Sequence, residues 1–230
     1  MSEQMRMYVE VGFNVLYLLV VWGMTLLMSL RLREVRAERF REANLFRWAF
    51  FLLALGDTGH VGFRVIAYAL GGLAQNPWLV GVGALATAIT VTFFYAMLLV
   101  IWRERFQGGY GWFEKLLFAM VPLRLVLMTF PQNQWASVEP PPFWGPFRNL
   151  FLIILGLGVM YLLLRDALKQ HDRLYRWVAV CIFFSYLFYT PVIFFARQLP
   201  LLGMLMIPKT IMYVAIQFIA YYGLWPKKTQ

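Results

Sequence analysis

One cysteine and two histidines in 230 residues leave this chain without the means for whole classes of chemistry. Cys181 alone cannot close an intrachain disulfide, and Cys181, His60 and His171 cannot build a Cys/His-rich metal site. No metal and no cofactor are expected. A Gly-x-Ser-x-Gly elbow and a phosphate-binding P-loop are missing as well, which removes the hydrolases and nucleotide enzymes built on them. Charge is equally scarce. Asp, Glu, Lys and Arg make up 14% of the residues against 61% hydrophobic ones, a balance foreign to an ordinary soluble domain.

What is present is apolar sequence in seven long stretches: Tyr8–Leu30, Leu45–Leu70, Trp78–Trp102, Phe113–Phe130, Phe147–Leu164, Tyr175–Ala196 and Leu199–Trp225. At ~1.5 Å per residue each suits the ~30 Å hydrocarbon core of a bilayer. Transmembrane strands would alternate apolar with polar residues, whereas Leu16–Val21 and Phe93–Ile101 are apolar on every side. The expectation is an all-α integral membrane protein, residues 1–230 forming a single domain of seven transmembrane helices. The first stretch follows the polar segment Ser2–Arg6, exceeds a signal-peptide core in length and lacks a small-residue cleavage pattern, so it is expected to remain as helix one.

Basic residues set the expected orientation, because short cytoplasmic loops retain Lys and Arg. Arg31, Arg33, Arg36, Arg39, Arg41 and Arg47 lie between helices one and two; Arg103, Arg105 and Lys115 between three and four; Arg165, Lys169, Arg173 and Arg176 between five and six; Lys227 and Lys228 at the end. This places the amino terminus outside and the carboxyl terminus in the cytoplasm, with the cytoplasmic (plasma) membrane as the expected location. The net charge of +10 is then a topology signal, and no nucleic-acid partner is expected. Glu34, Glu38 and Glu42 recur every four residues among the arginines of 31–44, a pattern predicting a solvated helical extension. On the other face, the Pro-rich outer loop 131–146, with Pro140, Pro141, Pro142, Trp135 and Trp144, suits stiff interfacial backbone that covers a cavity mouth in its functional reading.

Matching positions at three offsets suggest a 3+1+3 parallel pseudo-repeat: Asn14 and Gly23 with Asn149 and Gly158; Leu45, Arg47 and Trp48 with Leu174, Arg176 and Trp177; Pro77 and Trp102 with Pro200 and Trp225. In helix count and layout the plan is similar to the SWEET sugar transporters, the nicotinamide riboside transporters and the microbial rhodopsins. The resemblance stops at that outline. No Pro-Gln motif stands in helix one or five; Lys209 does fall in helix seven, as the retinal lysine of a rhodopsin would, yet Leu205 replaces a carboxylate one turn earlier and no acid lies near Thr87 or Thr90.

Ionisable residues at membrane depth are costly and mark function. Asp57, His60 and Arg64 in helix two are spaced to share one face, and Gly56, Gly59 and Gly62 between them invite a close neighbour. An ionised Asp57 is expected to hold His60 or an opposing cation. Helix seven carries Lys209, Tyr213 and Gln217 at four-residue steps, with Pro208 expected to kink it. Helix six adds Ser185, Tyr186, Tyr189 and Thr190, and helix four adds Arg124. The expected ligand set is Asp57, His60, Arg64, Arg124, Tyr189, Lys209, Tyr213 and Gln217. Five cations, Arg64, Arg124, Arg148, Arg197 and Lys209, face one deep carboxylate, Asp57, which suits an anion. Function is therefore expected to be transport or sensing of a small anion or anionic amphiphile through an outward-opening cavity, with membrane lipids as partners. A membrane-embedded lipid-modifying enzyme using Asp57 and His60 is the alternative, and a retinal protein linked through Lys209 stands behind it.

Overall fold

A computed structural model describes residues 3–109, 111–137 and 141–226; Pro140, Lys227 and Lys228, which entered the loop and charge readings, lie outside them. Seven α-helices run α1 (Glu3–Leu30), α2 (Phe40–Ala69), α3 (Pro77–Phe106), α4 (Trp112–Met128), α5 (Trp144–Lys169), α6 (Arg173–Phe195) and α7 (Met206–Leu224). Six spans are long and apolar enough to cross a membrane, so the chain is a multi-pass helical membrane protein. The exception is α4, whose 17 residues reach about 26 Å and include Glu114, Lys115 and Arg124. At most 44% of any of the six spans is buried within the bundle, which leaves leucines such as Leu16, Leu19 and Leu26 to face lipid.

Consecutive helices pack side by side and α7 closes against α1, while α3 also touches α5 and α2 touches α7. The ring of helix contacts is continuous. The turns are built locally. Gly71 and Gly72 take positive φ (105° and 113°) to reverse the chain after α2, and Asn76 then donates to the carbonyls of Ala67, Leu70 and Gly72 that the helix end leaves open. Pro77 follows at the start of α3, where its missing N–H costs nothing.

The arginine-rich end is sealed by charge pairing. Asp172 caps α6 through the amides of Leu174 and Tyr175 and pairs with Arg105 at 2.7 Å, tying α3 to α6. Glu42 is buried and accepts from Arg39 and from the Tyr175 hydroxyl, linking α2 to α6. Arg31 reaches the Tyr221 hydroxyl and the Pro226 carbonyl, and Glu34 raises its affinity for the proton above the ordinary guanidinium range. The segment 31–44 is therefore not a solvated helical extension. Two 3₁₀ turns, Leu32–Glu34 and Ala37–Arg39, flank an extended Val35 that inserts into the core, because the chain must turn back within a few residues.

Glycine permits a close approach between α2 and α3. A Cβ on Gly56 would strike the Thr90 side chain, one on Gly59 would press the Ala86 methyl, and one on Gly83 would press the backbone of Gly59 and His60. Gly62 meets nothing and does not serve this contact. The tight seam brings Thr87 of α3 against Asp57 of α2.

Candidate functional site

A cavity of about 410 Å³ lies in the half of the bundle away from the arginine-rich end. Every helix contributes to it: Asn14 and Tyr17 from α1, Asp57, His60 and Arg64 from α2, Thr87 from α3, Arg124 from α4, Arg148 and Asn149 from α5, Tyr189 from α6, and Lys209 and Tyr213 from α7. Its floor is aromatic. The hydroxyls of Tyr213 and Tyr95 meet at 3.1 Å, and Tyr95 packs on Tyr186, whose hydroxyl donates to the Leu152 carbonyl. Apolar wall is supplied by Phe13, Leu53, Val61, Val91, Leu152 and Ile207.

Asp57 is already satisfied by neutral donors. Tyr17 gives its hydroxyl to Oδ2 at 2.6 Å and Thr87 gives its hydroxyl to Oδ1 at 2.7 Å. No hydrogen bond joins Asp57 to His60, and no carboxylate lies within 4 Å of the Lys209 ammonium among the described residues. The expected grip of Asp57 on His60 is replaced by hydroxyls from two other helices, which the glycine seam and the α1 contact bring closer. His60 lines the cavity with its Nδ1 buried and unpartnered. Lys209 instead lies over two ring faces, 4.8 Å from the Tyr189 centroid and 5.0 Å from that of Tyr213. Among the described residues no hydrogen bond or ion pair reaches Arg64.

Arg124 is 1% exposed and held entirely by neutral acceptors. Its guanidinium donates to the Arg148 carbonyl at 3.2 Å, the Ala88 carbonyl at 2.9 Å, Asn149 Oδ1 at 3.1 Å and the Thr92 hydroxyl. Arg148 stacks over the Trp135 ring at 4.1 Å and donates to Asn133, pinning the loop after α4 to the cavity rim. Trp135 in turn donates to the Met128 carbonyl, and its own carbonyl fills the space a Cβ on Gly81 would need. Among the described residues, four cations and one carboxylate, Asp57, thus line a single chamber.

Of the eight residues expected to bind ligand, the structure brings seven to this cavity. Gln217 is the exception. It is fully buried between α7 and α1, where Nε2 donates to the Val21 carbonyl at 3.2 Å and to Thr25 Oγ1 at 3.0 Å. Eight residues beyond Lys209 it stands about 12 Å deeper along the helix, beneath the tyrosine floor. Arg197 also falls outside, exposed beyond the end of α6. Pro208 does not kink a long helix seven. The chain runs as a 3₁₀ turn over Pro200–Leu205 before α7 begins at Met206, so Pro208 lies in the first turn, where a backbone donor is not needed. Tyr17, Thr87, Asn14 and Asn149 are cavity residues the sequence reading passed over; Asn14 and Tyr17, three apart on an otherwise apolar helix, were the available signal.

Fold and cavity together define a multi-pass helical membrane protein with a polar, cation-rich chamber in one half of the bundle. Comparisons with protein-family models, curated proteins and solved structures returned no match.

Proposed function

We propose that the protein crosses the cytoplasmic membrane seven times, with its amino terminus outside, and that the chamber takes up a small anion or anionic amphiphile from the outer side for transport or sensing. The basic loops support the orientation, since the arginine-rich end then faces the cytoplasm. The chain direction supports a span for α4, which runs from the arginine-rich end toward the loop packed on Gly81 and lies along α5. Lipids are the surrounding partners.

One observation carries the anion reading. Arg64 and Lys209 line the cavity with no ion pair of their own among the described residues, while both carboxylate oxygens of Asp57 are occupied by Tyr17 and Thr87. Isolated charge in a low-dielectric chamber is costly, and an anionic occupant removes that cost. The lipid-modifying alternative rests on an Asp57–His60 acid–base pair, and the absence of a hydrogen bond between them weighs against it.

Native mass spectrometry of the purified chain tests the reading. An anionic small molecule is expected to co-purify with the wild type, to be weakened in Arg64→Lys, which keeps charge but loses the planar fork, and to be lost in Arg64→Ala and Lys209→Met. Equal retention in Arg64→Ala and wild type would remove the anion site.

A further inference from the structure

Resting on the anion reading of the chamber, we infer that its occupant is a dianionic amphiphile, a phosphate monoester bearing a short apolar tail, rather than a monoanion such as a carboxylate or a sulfate ester. The charge inventory supplies the first argument. Among the described residues, Arg64, Arg124, Arg148 and Lys209 line the wall against Asp57, so these five carry an excess of three positive charges if every group is ionised. A monoanion leaves two of them uncompensated; a dianion leaves one. Arg148 is the natural remainder, because it stacks on Trp135 and bonds to Asn133 at the rim. Arg124 spends four of its five N–H donors on neutral acceptors and contributes mainly field rather than contact.

The free donors supply the second argument. Among the described residues the planar fork of Arg64 has no acceptor, and the Lys209 ammonium, with three donors, rests on the faces of Tyr189 and Tyr213. Both line the same cavity as His60, whose Nδ1 is buried without a partner. A tetrahedral phosphate, with three terminal oxygens, offers acceptors in several directions to donors arriving from α2 and α7. Lys209 also stands in the first turn of α7, where the helix dipole favours negative charge and opposes a lone cation.

Volume supplies the third. At about 30 Å³ per water, 410 Å³ holds roughly fourteen waters, far more than a bare phosphate displaces. Phe13, Leu53, Val61, Val91, Leu152 and Ile207 give the surplus an apolar lining that fits a short alkyl or aryl tail.

The test separates charge from shape. The full chain in nanodiscs at pH 8 is titrated calorimetrically with hexyl phosphate, a dianion there, with hexyl sulfate, a permanent monoanion of the same tetrahedral form, and with neutral hexanol. Hexyl phosphate is expected to bind at least tenfold more tightly than hexyl sulfate, and the advantage is expected to shrink severalfold in Arg64→Gln and again in Lys209→Met. Hexyl sulfate binding as tightly as hexyl phosphate, with both above hexanol, overturns the dianion and leaves the anion site standing. Both anions binding no better than hexanol overturns the anion site itself. Should a variant fail to fold, the wild-type ratio of phosphate to sulfate affinity still decides.

Discussion

Removing one hydroxyl from α1 isolates the charge state of Asp57, the carboxylate that lines the cavity among the described residues. Tyr17 is 5% exposed and donates to Asp57 at 2.6 Å across an interface between helices 40 residues apart in sequence. A hydrogen bond between neutral groups on membrane helices averages about 0.6 kcal/mol. One to an ionised acceptor reaches about 1.5–3 kcal/mol. Tyr17→Phe keeps the ring and its burial, so its cost reads the bond alone: about 2 kcal/mol if Asp57 is a carboxylate. In an Asp57→Asn background the same hydroxyl meets a neutral amide, and the cost should fall to about 0.6 kcal/mol. The double-mutant coupling is then about 1.4 kcal/mol, well outside the ~0.5 kcal/mol scatter of independent sites. Reversible unfolding of the four proteins in mixed micelles, followed by tryptophan fluorescence against SDS mole fraction, measures it. Additive costs would show that Asp57 carries no charge in the folded protein, and the inventory that makes the chamber net cationic would have to be redrawn.

Two further outcomes follow from the same geometry. Gln217→Leu should leave ligand retention unchanged and shift stability by less than about 1 kcal/mol, because the lost bonds to Thr25 and Val21 are offset by removing an Oε1 that is buried without a partner; loss of the co-purifying anion in this variant would return Gln217 to the site. In a Cys181→Ala background, cysteines placed at the exposed positions Gln75 and Ala136 should react with an impermeant maleimide on intact cells while one at Gln107 should not, and the reverse pattern would invert the bundle and close the chamber to the outside.

The helices were legible in hydropathy because a bilayer demands long apolar runs, yet their ends were not. Apolar sequence begins at Leu45, but α2 begins at Phe40; it fades near Leu164, but α5 continues to Lys169. Helical hydrogen bonding continues through the interface wherever the next polar residues find partners, and here they do. Arg39 and Tyr175 both bond to Glu42, while Asp166 accepts from Trp102 and from its neighbour Arg165. A hydropathy pattern records where the lipid is and says nothing of which polar side chains meet. For the same reason α7 was drawn as one element from Leu199, although its apolar residues include a 3₁₀ turn before Met206.

The site divides along a similar line. Asp57, His60, Arg64, Arg124 and Lys209 announce themselves by the cost of charge at depth. Tyr17 and Thr87 do not, since tyrosine and threonine sit in apolar helices without penalty and their bonds to Asp57 span 40 and 30 residues. Those two hydroxyls decide the electrostatics of the chamber. Had Asp57 been left unsatisfied, the nearest cation would be its natural partner, and Lys209 and Asp57 together would make a self-contained pair with no call for an outside ion. With each carboxylate oxygen taking a hydroxyl donor, Asp57 is stabilised as an acceptor without a direct ion pair, and Lys209 rests on Tyr189 and Tyr213 instead. Neutral partners can satisfy hydrogen bonding and still leave charge unbalanced. Arg124, with four neutral acceptors and no ion pair among the described residues, is the same case in opposite sign. A protein that spends hydroxyls and carbonyls to hold its buried ions apart, rather than pairing them, keeps its net positive charge available to whatever enters the cavity.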